Sequence, residues 1–407
     1  MANRQFRDYE VVARQAESEV ITSFVLAPIG GAPVAGPAER GPAEPRPAVP
    51  AYRPGQHLVF RLDINGQTVL RNYSVSGDPS NTHTLRIAVK RETAPAHEPG
   101  LPAGRGSNHL HDHVQVGDIL SAAGPMGEFV LDEDSRRPVV LLSGGVGITP
   151  MMCMLHRLVN TTQRRVIFIH ACECGSVHAF RDEVLALAQE RPGITAHFCY
   201  RTPSAADIAR SACHSQGLIS REQLQALLPL DDYDFYLCGP GGFMQANWRL
   251  LRELGVAKTR IHYEFFGPAT VLEAEPEAAV EPENAGVSEL AVEPEIPTNG
   301  SSPAPQAPVP VATLPPQSSP AVTQVQFLPS GTTVDWDESC PSLLDLAEQA
   351  GLSPDFNCRA GLCSTCMSGL VSGEVEYFEP PLDEPPAGRV LLCCSRPVGP
   401  VVITLDH

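Results

Sequence analysis

The chain has 407 residues, 43% of them hydrophobic, which is more than one ordinary core supports and sets an expectation of two or three domains. It holds no run of eighteen apolar residues, and its first ten residues are polar, so neither a membrane helix nor a secretory leader is expected and the sequence reads as cytoplasmic. The net charge of −18 sits late in the chain: residues 1–272 carry 27 acids against 26 bases, residues 273–320 eight Glu and no Lys or Arg, and residues 321–407 twelve acids against three bases. That distribution argues against a nucleic-acid partner and for an acidic surface that meets a basic one, and without an apolar span no membrane partner is expected.

Residues 1–135 read as short strands at 20–26, 57–64 and 69–74 and in the alternating Leu85, Ile87 and Val89, with Gly, Pro and Asp between them. Their spacing predicts a closed antiparallel β-barrel, with a Pro/Ala-rich insertion at 36–50 as a surface loop. Across residues 136–272 strands and helices alternate: apolar runs at 138–143, 166–170, 195–200 and 234–238, and helices around 148–159, 184–188 and 243–254. This is the signature of an α/β domain with a parallel sheet covered on both faces. Residues 273–321 hold eleven prolines and no aromatic residue, and are expected to form an unstructured linker with a reach of roughly 40 Å. A further domain follows at 322–407.

Five of the twelve cysteines crowd between Cys358 and Cys394, which suits a metal centre in a reducing compartment better than a disulfide framework. Cys358, Cys363 and Cys366 stand in C-x4-C-x2-C spacing, followed by the adjacent pair Cys393 and Cys394. That is the plant-type [2Fe-2S] arrangement, in which one loop brings three thiolates and a distant residue the fourth. Structural zinc fits less well, because zinc sites show paired C-x2-C units. The segment resembles the β-grasp ferredoxin domain, an α+β fold. By that resemblance Cys393, four residues before Pro397, is the fourth ligand, with Cys394 as the alternative; Cys340, which lies before the cluster loop, reads as a buried apolar residue rather than a ligand.

Two further constellations lie upstream. Arg71, Asn72, Tyr73 and Ser74 form an R-x-Y-S run shortly after Tyr52, Gly55 and Gln56; Ala88, Val89 and Lys90 end the next strand; Gly106, Ser107 and Asn108 open a helix; and GPMGEF follows at 124–129. A guanidinium suits a pyrophosphate, an aromatic ring a flavin face, a hydroxyl the flavin N5, and a helix N-terminus a phosphate. Gly145, Val146, Gly147, Thr149 and Pro150 stand between an apolar strand and a helix, where a pyrophosphate meets helix amides, although Pro150 occupies the third position of the usual dinucleotide fingerprint. Cys238, Gly239 and Pro240 close the last strand of that sheet.

Together these motifs resemble ferredoxin-NADP⁺ reductase-like flavoproteins. Over residues 6–272 the likeness is closer to the reductase part of flavohaemoglobin, with no globin expected because the barrel begins almost at Met1. The resemblance implies FAD, with FMN as the alternative found in reductases of Rieske oxygenases that share the domain order. It places Cys238 behind the nicotinamide and Glu264 and Phe266 against the flavin, with Phe266 displaced when the nicotinamide stacks. Glu173, suited to a ribose hydroxyl and without a basic cluster around it, favours NADH over NADPH.

His109, His111 and His113 form a metal-like cluster that the resemblance gives no metal role, and Cys172 and Cys174 read as packing residues. No nucleophile elbow and no H-E-x-x-H motif is present, so hydrolysis has no support. The whole reads as a two-electron to one-electron converter, NADH to FAD to [2Fe-2S] to a one-electron acceptor protein. By resemblance the acceptor is the oxygenase component of a Rieske-type oxygenase or demethylase, with a basic docking face. The alternatives are a hybrid-cluster or haem-protein acceptor, or a non-enzymatic redox sensor.

Overall fold

The computed structural model describes residues 5–29, 47–94, 103–266, 323–337, 340–356, 359, 361, 364–382 and 384–405. The expected linker at 273–321 and most of the expected insertion loop at 36–50 lie outside them.

Six strands, β1 (Arg7–Ala16), β2 (Ile21–Pro28), β3 (His57–Ile64), β4 (Gln67–Ser74), β5 (Leu85–Lys90) and β6 (Ile119–Met126), pair antiparallel in the order β4-β3-β6-β1-β2-β5. A bridge between Val75 and Ile87 joins the two outer strands, so the sheet closes on itself as expected. β1 and β6 escape a periodicity reading for different reasons. In β1 only Tyr9 and Val11 are buried among charged neighbours, and β6 is built of small residues around Gly124 and Pro125. α1 (Arg105–His113) packs against β3, β4 and β5. Its His111 is buried, with Nε2 2.9 Å from the Val89 carbonyl and Nδ1 3.4 Å from Thr22 Oγ1. His109 and His113 lie ring to ring at 5.2 Å on the same helix.

The second sheet runs β10-β9-β8-β7-β11-β12, with every pair parallel. Its strands are β7 (Val139–Gly144), β8 (Val166–Cys172), β9 (Ile194–Tyr200), β10 (Ser215–Gln216), β11 (Asp234–Gly239) and β12 (Ile261–Phe265). Every residue of β7 and β11 is buried, because helices cover both faces. Val139 and Leu141 pack with α2 (Ile148–Thr161) and α3 (Arg181–Glu190), and Val140 and Leu142 with α5 (Arg221–Leu227) and α6 (Gly241–Glu253). The short α4 (Ala205–Ala209) opens on a capping box at Ser204. Arg86 on β5 grips Glu183 on α3 with two nitrogens at 2.8 and 2.9 Å, and so ties the barrel to this sheet.

The third sheet is mixed, in the order β14-β13-β17-β15-β16. It comprises β13 (Gln324–Leu328), β14 (Thr332–Asp335), β15 (Met367–Tyr377), β16 (Arg389–Leu391) and β17 (Ser395–Thr404), with β13 and β17 parallel. α7 (Leu343–Gln349), capped by Ser342, lays Leu343 and Leu346 on a core with Val325, Phe327 and Ile403. Cys340 is buried there, as expected of a packing residue.

Candidate redox site

The R-x-Y-S run occupies the end of β4. Arg71 donates to the Leu70 carbonyl at 2.7 Å, and the Tyr73 ring lies 5.6 Å from that of Phe60. α1 comes close because Gly106 has no side chain: a Cβ there would stand 2.7 Å from Arg71 Cγ and 3.4 Å from Tyr73 Oη. Arg71, Tyr73 and the first turn of α1 therefore converge. Gly104 at the N-cap offers no side-chain cap, while the Ser107 hydroxyl donates to the Gly104 carbonyl and Asn108 Nδ2 to the Glu92 carbonyl. Ser107 and Asn108 thus direct side-chain donors to the loop, and the backbone amides of this first turn are left for a ligand. Gln56 likewise reaches the Gly127 carbonyl at 3.4 Å. Ala88 and Val89 are buried, and Lys90 closes β5 in an ion pair with Glu92 at 3.0 Å.

The two glycine-bearing loops of the parallel sheet touch. Gly145 adopts φ +52° and faces open space, whereas Gly147, at φ −61°, is glycine for lack of room. A Cβ on Gly147 would lie 2.7 Å from Gly239 N and closer still to the Cys238 carbonyl. The Phe243 ring fills the gap beside Gly144 and Gly239, with less than 3 Å to a Cβ on either. Thr149 is buried and donates to the Val146 carbonyl at 3.1 Å, which folds the loop onto α2, and Pro150 sits buried in the helix's first turn. No side chain caps α2 or α6, where Gly147 and Pro240 stand at the N-caps. Glu173 is exposed past β8, its carboxylate bonded by the Thr202 hydroxyl, with Arg201 exposed alongside. Cys172 and Cys174 are partly exposed.

One residue the sequence reading passed over joins the two halves. His57 opens β3 opposite Ser74, and its Nδ1 lies 3.7 Å from Glu264 Oε1. Glu264 is in register with Cys238 on β11. Ser74, His57, Glu264 and Cys238 therefore form one row from barrel to nucleotide sheet. Burial and the neighbouring Glu264 charge push the Cys238 thiol well above its usual range, so it stays protonated. Ser74 Oγ, Asn72 Oδ1, His57 Nε2 and Glu264 Oε2 are buried and have no hydrogen-bond partner among the described residues. Phe266 packs on the same apolar cluster as Cys238. The signal for His57 was its place directly after Gln56, but nothing in the sequence pointed across to Glu264.

In the third fold, Cys366 and Cys393 are buried, and the Gly361 amide donates to Cys393 Sγ at 3.3 Å. Cys394 is wholly buried, with Sγ 3.7 Å from the Leu391 carbonyl. Cys358 and Cys363 lie outside the described residues.

Three family models match the chain: the oxidoreductase FAD-binding domain at residues 47–131, the oxidoreductase NAD-binding domain at 141–248 and the 2Fe-2S iron-sulfur cluster binding domain at 325–398. The structure of the flavohem-like FAD/NAD binding domain of nitric oxide dioxygenase from Vibrio cholerae O1 biovar El Tor is 39% identical, with a TM-score of 0.53, over 64% of this chain and 99% of that one. The chain belongs to the flavohaemoprotein-type FAD/NAD-binding reductase family. A flavohemoprotein of Bacillus cereus (strain ATCC 10987 / NRS 248) is 41% identical over 273 residues, and the match spans 66% of this chain but only 63% of that relative. Phthalate dioxygenase reductase, described as a modular structure for electron transfer from pyridine nucleotides to [2Fe-2S], is 20% identical with a TM-score of 0.52 over 98% of both chains, a likeness of fold. This member of the reductase family is thus an electron-transfer oxidoreductase with FAD-binding, NAD-binding and 2Fe-2S-binding domains.

Proposed function

We propose that the chain carries electrons from NADH through FAD to a [2Fe-2S] cluster and on to a separate one-electron acceptor protein, the terminal component of a Rieske-type oxygenase or demethylase. The observation that carries the reading is the row Ser74, His57, Glu264 and Cys238, which leads from the barrel to the nucleotide sheet in a chain that also has a cluster-binding fold. The reading assigns residues 1–135 to the flavin, 136–272 to the nicotinamide nucleotide, 273–321 to a linker and 322–407 to the cluster.

The residues of the row fit a polar ligand. Four buried polar atoms, on Asn72, Ser74, His57 and Glu264, have no partner among the described residues, and each would cost about 1–3 kcal/mol if left so. A bound flavin supplies hydride acceptance and release of single electrons. Arg71 and the amides of Gly106, Ser107 and Asn108 would hold its pyrophosphate, Tyr73 its ring face, and Ser74 and Asn72 its polar edge. Gln56, Ala88, Val89 and Lys90 complete the seat. The turn of Gly145, Val146, Gly147, Thr149 and Pro150 would take the nucleotide's pyrophosphate, and Cys238, Gly239 and Pro240 would back its nicotinamide. Phe266 shields the flavin until nicotinamide replaces it, and Glu173 receives the ribose. Cys358, Cys363, Cys366 and Cys393 would ligate the cluster. Cys393 is preferred to Cys394 because a cluster-loop amide already points at its sulfur.

The acceptor is proposed from charge and domain order. Glu374, Glu376 and Glu379 are exposed on and just beyond β15, in a domain with twelve acids and three bases. Flavin, iron and acid-labile sulfide analysis tests the cofactor set; zinc without sulfide would end the cluster assignment. Reconstitution with a Rieske-type terminal oxygenase should give NADH-dependent turnover that falls steeply with salt. Delivery to a haem protein but not to a Rieske centre would move the acceptor to the haem class.

A further inference from the structure

We propose that His57 is a positioning residue for the redox step: it holds the Glu264 carboxylate in place against the flavin, from the far side of the junction between barrel and nucleotide sheet. The inference rests on the flavin reading above. His57 is 7% exposed, and its Nδ1 stands 3.7 Å from Glu264 Oε1, close enough for the pair to tighten into a hydrogen bond when a ligand fills the pocket. The second atoms of both side chains, His57 Nε2 and Glu264 Oε2, are buried without a partner among the described residues. So is the hydroxyl of Ser74, the residue directly across the strand pair.

The seat for the imidazole is built. Gly127, in the GPMGEF run, has φ +107°, and a Cβ there would stand 2.9 Å from His57 Nδ1 and 3.1 Å from Cε1. The Nδ1–Cε1 edge of the ring therefore occupies the space a side chain at 127 would take, and Gln56 grips the Gly127 carbonyl. Only glycine both adopts that turn and leaves the imidazole its place. The GPMGEF turn thereby leaves room for His57 on the side where it meets Glu264.

Glu264 is 20% exposed, and a partly buried carboxylate without its partner is costly and free to swing; near a flavin its unbalanced negative charge opposes uptake of electrons. His57 supplies the N–H that fixes and offsets it. His57→Phe should keep the ring's volume and remove that donor, whereas His57→Gln retains an N–H.

Flavin content, midpoint potential and the anaerobic rate of flavin bleaching by saturating NADH are measured for wild type, His57→Phe, His57→Gln, Glu264→Gln and the His57→Phe/Glu264→Gln double variant. His57→Phe should shift the flavin redox equilibrium about tenfold toward the oxidised form, a fall of about 30 mV for a two-electron couple. It should also slow bleaching about tenfold, and His57→Gln should restore most of both. The double variant should bleach no more slowly than Glu264→Gln, because the histidine acts only through that carboxylate. Wild-type potential and rate in His57→Phe, or additive losses in the double variant, would overturn the inference while the flavin reading stands. Loss of flavin from both His57 variants with the fold retained would overturn it too, by making His57 part of the flavin's own seat. A wild-type protein that binds no flavin would overturn the flavin reading itself.

Discussion

Replacing Gly147 by alanine tests the contact on which the nucleotide site is built. At φ −61° the backbone accepts any residue, so conformational strain plays no part. The added Cβ would lie 2.7 Å from Gly239 N and nearer still to the Cys238 carbonyl, and both neighbours are main chain at the end of a fully buried strand. Neither can turn aside as a flexible side chain would, so the loop and β11 must separate. Overpacking of this kind costs about 1–3 kcal/mol, and the rigid neighbours put the change at the upper end. With a urea slope of about 1–3 kcal/mol per M, the unfolding midpoint should fall by about 1 M. The two loops would also lose their common register, so KM for NADH should rise several-fold while flavin content holds. Gly145→Ala is the control. Nothing lies within 4 Å of its Cβ, but φ +52° costs about 1–2 kcal/mol in a non-glycine residue. A Gly147→Ala variant with the wild-type midpoint and the wild-type KM would show that the loops do not rest on one another.

Arg71→Ala should weaken FAD retention about 10–100-fold, the loss expected when charged hydrogen bonds worth about 1.5–3 kcal/mol disappear; gel filtration followed by flavin absorbance reads it. Cys366→Ser should abolish acid-labile sulfide and cluster absorbance but leave flavin content unchanged, and loss of flavin as well would contradict separate seats for the two cofactors. His170 is fully buried under the nucleotide loop, 2.9 Å from Ser143 Oγ, and burial pushes it down to about 3 from its ordinary 6.5. Unfolded, it takes up a proton below pH 6.5; folded, it resists down to about pH 3. Stability is therefore intact above 6.5 and falls by about 1 kcal/mol per unit as pH drops through that window. Urea melts at pH 7 and 5.5 should show a smaller loss in His170→Gln than in wild type, and equal losses would refute the assignment.

The parallel sheet was legible because its strands are buried on both faces and so read as uninterrupted apolar runs, such as Val139 to Leu142. The barrel was legible only in part. β1 buries two residues in ten, and in β6 small residues fit a tight bend, so neither carries an alternating pattern. Among the candidate site residues, the motifs named turns and strand ends but not the use of each side chain. Ser107, Asn108, Gln56 and Thr149 look like ligands to a phosphate or flavin, yet their side chains bond the protein's own backbone. A hydroxyl or amide beside a glycine serves a turn as readily as a ligand, and only coordinates separate the two. His57 and Glu264 lie 207 positions apart in sequence and meet through register, which no local pattern encodes.

The cysteines show how one residue type is divided between two chemistries by environment. Burial pushes Cys153 up to about 12, and burial with the charge of Glu264 pushes Cys238 well above its usual range, so neither is a thiolate at neutral pH. A thiol held protonated is a poor nucleophile and a poor metal ligand. Cys238 therefore presents a small, neutral, polarisable side chain beside the Glu264 carboxylate. Cysteines that ligate a metal need the opposite surroundings, with backbone amides aimed at sulfur, and Gly361 N is aimed in this way at Cys393 Sγ. On the proposed reading the carboxylate and the cluster ligands lie in different folds, which would keep the hydride site free of a competing nucleophile and leave the cluster ligands to be stabilised by their own loop.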